Sequence, residues 1–325
     1  MSKRLTISIS QIAPLVGLDA YNNFPRIICD LWRKYKPIEF KLLESQLKLQ
    51  GLNIATSSDM NDIWEADEAL GTNILQQVKD LNSNTDKTSS SMVSQQEAIT
   101  KYINDNEKLS GLDTKQKVEL SKKVCSATNK MHGIINEDSI LAEFCRLSEK
   151  TIKETQAWLE IPILTNIPNI NHNNINHTAN INTNIQIAWV LVGKYDAITT
   201  DNELIEAKMR QKALFKKVRD YENVQVQLYL HALKFEQAYL VESYTNKKGI
   251  NQIYVNEIKY DKCYVNDIVL KRIIRFIRFF EMFLEDGSSN IRESLMKGDK
   301  DRKIYKQYER EYLDIDTKTE SETSY

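Results

Sequence analysis

IQIAWVLVGKYDAITTDNELIEAKM, residues 185–209, is the stretch that decides the fold. Ile185 to Val192 is almost continuously apolar and rich in β-branched side chains, the composition of a buried strand. Glu203 to Met209 alternates, with Leu204, Glu206 and Lys208 on one face and Ile205, Ala207 and Met209 on the other. With Thr200-Asp201-Asn202 as the connecting loop, antiparallel pairing sets Asp196 opposite Glu206. Two carboxylates and a lysine then share one patch of sheet. Like charges so close repel unless a cation stands between them. A divalent metal held by two carboxylates, with an ammonium beside it, is an arrangement that cleaves phosphodiesters.

Composition bounds the rest. The chain has 325 residues and 41% hydrophobic content, enough for one large domain or two small ones with a core. The net charge is −1, so a nucleic-acid surface has to come from local clustering of cations. No run of about 18 apolar residues and no signal peptide is present, which predicts a soluble intracellular protein away from membranes. Cys29, Cys125, Cys145 and Cys263 are scattered, with no pair at metal-binding spacing, and read as reduced core residues.

Several further segments carry chemistry. In residues 6–37, Ser10 caps a helix over Gln11 to Val16, Gly17 ends it, Tyr21 to Pro25 turns, and Pro25 opens a second helix with Ile27, Ile28, Leu31 and Trp32. Met131-His132-Gly133 opens a helix on which Glu137 shares an apolar stripe with Ile140, Leu141 and Phe144. A carboxylate there is costly unless something pairs with it, whereas Glu143 falls on a polar flank with Arg146 and Lys150. A glutamate paired with a lysine is the other reading of Glu137. Arg210, Lys212, Lys216, Lys217 and Arg219 follow the proposed catalytic strand closely and suit phosphate-backbone contacts. On the next helix, Gln225 is the polar intruder in the stripe Tyr221, Val224, Leu228, Ala232 and Phe235. It orients a phosphate or water, or else satisfies a buried backbone group.

The hairpin with Asp196 and Glu206-Ala-Lys208 resembles the core of the PD-(D/E)XK nucleases, with Tyr195 in place of the proline of the nominal motif. Within them the chain is most similar to the lambda-exonuclease/YqaJ group of viral recombination nucleases. The opening segment SISQIAPLVGLDAYNNFPRIICDLW, the glycine four residues before Glu137, and Gln225-Val-Gln-Leu-Tyr229 match that group's motifs in order. The likeness covers Ser8 to Trp32 and Met131 to Leu284.

By this resemblance the fold is an α/β, restriction-endonuclease-like core, a mixed central sheet flanked by helices and preceded by a helical N-terminal region. The activity implied is Mg2+-dependent hydrolysis of DNA, with Mn2+ as a substitute, resecting duplex ends 5′ to 3′; the alternatives are a structure-specific endonuclease of the same superfamily and a non-catalytic DNA-end-binding recombination scaffold. Asp196, Glu206, Glu137 and the Ala207 carbonyl would hold the metal, and Lys208 and Gln225 would serve the chemistry. Ser10, Arg26 and Tyr229 join the cationic cluster as DNA contacts, although a capping serine and a solvated arginine would also account for Ser10 and Arg26. Implied partners are duplex DNA ends, further copies of the chain, and a single-strand-annealing recombinase. The implied setting is the host cytoplasm or a replication site of a large DNA virus.

The remaining segments are organisational. Residues 39–126 read as helical and charged, with Lys117, Lys122, Lys123 and Lys130 as a basic stretch and residues 82–95 as a surface loop. The Asn-rich tract 167–184, containing His172 and His177, reads as an inserted loop with no role in the site. Residues 238–243 and 252–260 are strands, 267–284 a closing helix with Arg272, Arg275 and Arg278 on its rim, and 314–325 an acidic, disordered tail. The expected divisions are 1–126, 127–285 and 286–325.

Overall fold

Leu5, Ile7 and Ile9 alternate with polar residues, and this short pattern builds a strand that the sequence reading passed over. The computed structural model describes residues 4–19, 24–50, 89–163, 188–246, 249–285, 289–298 and 302–313, with scattered positions between 63 and 80. In it Arg4–Ser8 (β1) runs parallel to Ala188–Lys194 (β4), pairing Thr6 with Val190 and Ser8 with Val192. A 3-10 turn at Ile9–Gln11 leads into a single helical turn, Ile12–Leu15 (α1). The helix expected over 11–16 is thus split. Ser10 lies inside the turn, 2.9 Å from the Ser8 hydroxyl, and the cap positions fall on Ser8 and Gln11 instead. Gly17, at φ 73°, ends α1 as expected, in a conformation that suits glycine. Phe24–Tyr35 (α2) opens with Pro25 in its first turn, and Pro37–Leu49 (α3) follows.

Ser89–Asp105 (α4) occupies the second half of the expected surface loop, while 81–88 lie outside the described residues. Thr114–Ser148 (α5) is one helix of 35 residues, started by a reciprocal capping box between Asp113 and Gln116. It passes without a break through Gly133 and through residues 126 and 127. The helix expected to open at Met131 is therefore its second half, and the expected division at 126 falls inside it. Gly133 costs the helix about 1 kcal/mol, which a helix packed at both ends absorbs.

Two sheets follow from the strands among the described residues. Ile152–Thr155 (β2), Trp158–Ile163 (β3), β4, Ala197–Thr199 (β5), Leu204–Met209 (β6), Gln237–Thr245 (β7) and Asn251–Lys259 (β8) join β1 in the orders β1-β4-β3 and β2-β5-β6-β7-β8. The five-stranded sheet is mixed, parallel at β6–β7 and antiparallel elsewhere, as expected of the α/β class. The two sheets meet where the chain crosses between them twice at one level. Gln156 N–H donates to the Asp196 carbonyl (3.0 Å), and Tyr195 N–H to the Ala157 carbonyl (3.3 Å). Gln156 takes a left-handed φ of 57° to make this bend.

Asp220–Leu233 (α6) connects the parallel strands β6 and β7, on the side of the sheet opposite α5. Ile205 and Ala207 pack on Ile140, Leu141 and Phe144 of α5, whereas Leu204 joins Val224 and Leu228 of α6 in the main core. A π-helical turn at Tyr264–Val269 precedes Leu270–Glu285 (α7), and Ser289–Met296 (α8), Lys303–Tyr308 (α9) and a second π-helical turn at Glu309–Leu313 complete the described chain. The rim arginines tie elements together: Arg272 donates to the Val16 carbonyl and Arg275 to that of Leu313. One core runs from Leu5 and Trp32 through Trp189, Leu228 and Phe280 to Tyr308 and Leu313, so parts of all three expected divisions share it. A satellite cluster of Ile99, Ile103, Leu109, Leu120 and Val124 joins α4 to the first half of α5. The Asn-rich tract and the acidic tail lie outside the described residues. No helix among those described is long and apolar enough to cross a membrane.

Candidate metal and phosphate site

The hairpin forms in the register that the alternation predicts. Ala197 pairs with Ile205 and Ile198 with Leu204, and one further step sets Asp196 opposite Glu206. Asp196 stands just before β5, and its Oδ2 accepts a 2.7 Å hydrogen bond from the Ala207 N–H, so the side chain is fixed across the hairpin. Glu206 is 2% exposed. Its Oε1 accepts from Lys208 Nζ at 2.6 Å and from Gln225 Nε2 at 2.8 Å. Gln225 also reaches the Tyr229 hydroxyl (3.3 Å), which donates to the Lys194 carbonyl (3.1 Å). α6 thereby ties the end of β4 to the carboxylate of β6. Gly193 leaves the space for this: a methyl group there would stand 2.6 Å from Tyr229 Cε1 and 2.9 Å from Ile9 Cδ1.

Glu137 comes to the site from α5. It is half-buried, its Oε2 accepts from Gln156 Nε2 at 2.7 Å, and among the described residues no lysine is ion-paired with it. Glu143 pairs with Arg146 on the exposed flank, as the stripe predicts.

The charges act on one another. Burial pushes the Glu206 carboxyl up to about 7, against the pull of Lys208 and with a push from Asp196. Burial also raises Asp196, and it raises Glu137 with help from the Asp196 charge. For Lys208, burial alone would favour the neutral amine, but Glu206 and Asp196 outweigh it and hold the ammonium above its ordinary value. Clustered carboxyls that resist ionisation are what a site short of positive charge looks like. Glu206 Oε2 is buried with no hydrogen-bond partner. That oxygen, with Asp196 and Glu137 nearby, makes a hard-oxygen donor set of the kind Mg2+ and Mn2+ take. Among the described residues no three such side chains already stand at metal-holding distance. Lys208 and Gln225 both lie on the other oxygen of Glu206.

The expected DNA contacts divide. Lys212, Lys216 and Lys217 are exposed on the loop after β6. Arg210 is not available to phosphate: it is 8% exposed, bonded to Glu222 at 2.7 Å and to Glu242 at 2.6 Å, and stacked on Phe215. Glu242 also accepts from the N–H groups of Phe215 and Lys216, so this cluster shapes the lysine loop. Tyr229 is 2% exposed, a buried strut rather than a DNA contact. Ser10 is exposed, and its neighbour Ile9 lies beside Gly193. Arg26 is half-buried on α2, which packs on α1, α3 and α8.

Sequence reasoning missed Gln156, Lys194 and the Arg210–Glu222–Glu242 cluster. Lys194 stands two residues before Asp196, and that spacing was the available signal. A glutamate inside the apolar run AYLVESY was the signal for Glu242.

No protein-family model matches the sequence, and no curated protein matches it. Among solved structures it is similar to an alkaline exonuclease (LHK-Exo) from Laribacter hongkongensis, with 12% identity and a TM-score of 0.34 over 57% of this chain and 88% of that one. The same enzyme in complex with dAMP gives 14% identity and a TM-score of 0.34, covering 55% of this chain and 85% of that one. At such values the functional reading rests on the site itself.

Proposed function

We propose that this chain is a metal-dependent DNA nuclease that resects duplex ends, 5′ to 3′ by the resemblance of its motifs. The observation that carries the reading is the buried Glu206, with Oε2 unpartnered, beside Asp196, Glu137 and a protonated Lys208. Asp196, Glu206 and Glu137 would hold the cation, Mg2+ or Mn2+. When bound, it supplies Lewis-acid polarisation of the phosphoryl group and offsets the charge of the carboxylates. Lys208 places a fixed ammonium where charge grows on the phosphoryl oxygens. Without metal, Glu206 and Asp196 hold this side chain as an ammonium against the effect of burial. Gln225 and Tyr229 keep Glu206 from turning, and Gln156 does the same for Glu137. The exposed Lys212, Lys216 and Lys217 hold the backbone without reading sequence.

Linear and covalently closed circular duplex, incubated with and without Mg2+, test the proposal. Mg2+-dependent loss of the linear substrate alone is expected, and cutting of the circle would move the activity to an endonuclease. Asp196→Ala and Glu206→Ala should abolish cleavage while DNA binding survives, since removing a carboxylate lessens repulsion of phosphate. Near-normal cleavage by both variants would overturn the site.

A further inference from the structure

We infer that Trp158 is a stacking platform for an unpaired nucleobase beside the carboxylate site, with Lys194 holding the adjoining phosphate. This rests on the nuclease reading above and names the strand end that the site grips.

Trp158 opens β3 with 72% of its surface exposed, whereas Trp32 and Trp189 are fully buried. The core does not need it. Leu159, Ile161 and Ile163 bury the other face of the same strand. Trp158 pairs directly with Lys194 of β4, and directly opposed residues of antiparallel strands present their side chains on the same face. Both are the last residues before the two strands enter the site. Two positions before Trp158 is Gln156, whose amide holds Glu137, and two positions after Lys194 is Asp196. The backbone pairing continues past them through the Tyr195 N–H to the Ala157 carbonyl, so the spacing is rigid. Lys194 is exposed, its carbonyl is pinned by Tyr229, and its charge acts on both Asp196 and Glu137.

The surroundings choose the occupant. Along this exposed face Trp158 is paired with Lys194, and Glu160, two residues further along the strand, is ion-paired with Arg4, so the aromatic position lies among charged ones. An apolar protein partner would have to desolvate those ions. A nucleobase offers a π-face of matching size, and its phosphate offers an anion to the exposed Lys194 ammonium.

The test measures binding without cleavage. The probe is a labelled duplex with a four-nucleotide single-stranded end, in EDTA, followed by anisotropy. Trp158→Ala should weaken binding about tenfold, the scale of one lost base–aromatic stack. Trp158→Phe, which keeps a ring, should stay within about threefold. With abasic sugars in the single-stranded end, the parent should bind no better than Trp158→Ala. Lys194→Ala should reduce the salt slope by about one phosphate contact. Equal binding by the parent and Trp158→Ala, or the same loss on the abasic probe, would overturn the platform while Mg2+-dependent cleavage by the parent leaves the nuclease reading standing. A parent that neither binds the probe nor cleaves with Mg2+ would remove both.

Discussion

Gly193→Ala probes the joint on which the site geometry depends. A methyl group at this position meets Tyr229 Cε1 at 2.6 Å, Ile9 Cδ1 at 2.9 Å and the Tyr229 hydroxyl at 3.0 Å. Carbon atoms pack at about 3.5–4.0 Å, so the ring must retreat by roughly 1 Å. It has nowhere to go, being 2% exposed and bonded through its hydroxyl to the Lys194 carbonyl and Gln225. Overpacking of this kind costs about 1–3 kcal/mol, and three simultaneous contacts place the variant toward the upper end. At about 2 °C per kcal/mol for a chain of this size, Tm should fall by about 4–6 °C. Displacing Tyr229 also loosens Gln225 on Glu206, so single-turnover cleavage should slow about tenfold. Adding Tyr229→Leu removes the ring edge and the hydroxyl together. The double variant should therefore lose less stability than the sum of the singles, because the two sites share one contact. A Gly193→Ala protein melting within about 1 °C of the parent would refute the packing that joins β4 to α6.

Three further outcomes are expected. Lys208→Arg and Lys208→Ala should each lose at least about a hundredfold in single-turnover rate at saturating Mg2+, since a guanidinium cannot replace a compact ammonium seated on Glu206; an arginine variant within a few-fold of the parent would reduce Lys208 to a general phosphate clamp. Arg210→Met strands Glu222 and Glu242 in the interior and should cost about 3–5 kcal/mol in chemical denaturation, a loss that Glu222→Gln with Glu242→Gln partly restores; a cost below about 1 kcal/mol would contradict the buried cluster. Glu206 carries the pH dependence: its folded pKa of about 7 exceeds the ordinary 4.5, so without metal the folded state holds an extra proton between those values and stability falls as pH rises across them. Mg2+ favours the ionised form, so the Mg2+-induced rise in Tm should be small at low pH and grow through pH 7, and a shift independent of pH would remove Glu206 from the ligand set.

The hairpin was legible because its two signals are local. Alternation fixes which face each residue takes, and one loop length fixes the register, so Asp196, Glu206 and Lys208 follow from a single stretch. Glu137 was legible from the cost of a carboxylate on an apolar stripe. What escaped depends on partners distant in the chain. β1 carries its alternation in five residues, and only its parallel pairing with β4 makes it a strand. Arg210 has the same local context as the exposed lysines, and its burial is set by glutamates on α6 and β7. Gly133 looked like punctuation because propensity is a local prior, and tertiary packing at both ends of α5 overrides it. Gln156 gave no signal: its role comes from a left-handed backbone bend where two sheets meet.

α5 behaves as a shaft with marks at both ends. At 1.5 Å per residue its 35 residues span about 52 Å. Leu120, Val124 and Ala127 are seated in the satellite cluster near one end, and Glu137, Ile140, Leu141 and Phe144 in the site and its floor near the other. Inserting or deleting one residue between positions 128 and 136 turns one set against the other by about 100°. Such a change would aim Glu137 away from Asp196 while leaving every residue of the hairpin untouched. Changes close to a whole number of turns restore the facing, but each turn still slides one end along the axis by about 5.4 Å. The length of this helix is therefore clocked by the site, and the α4–α5 pair cannot drift in sequence length independently of the chemistry it adjoins.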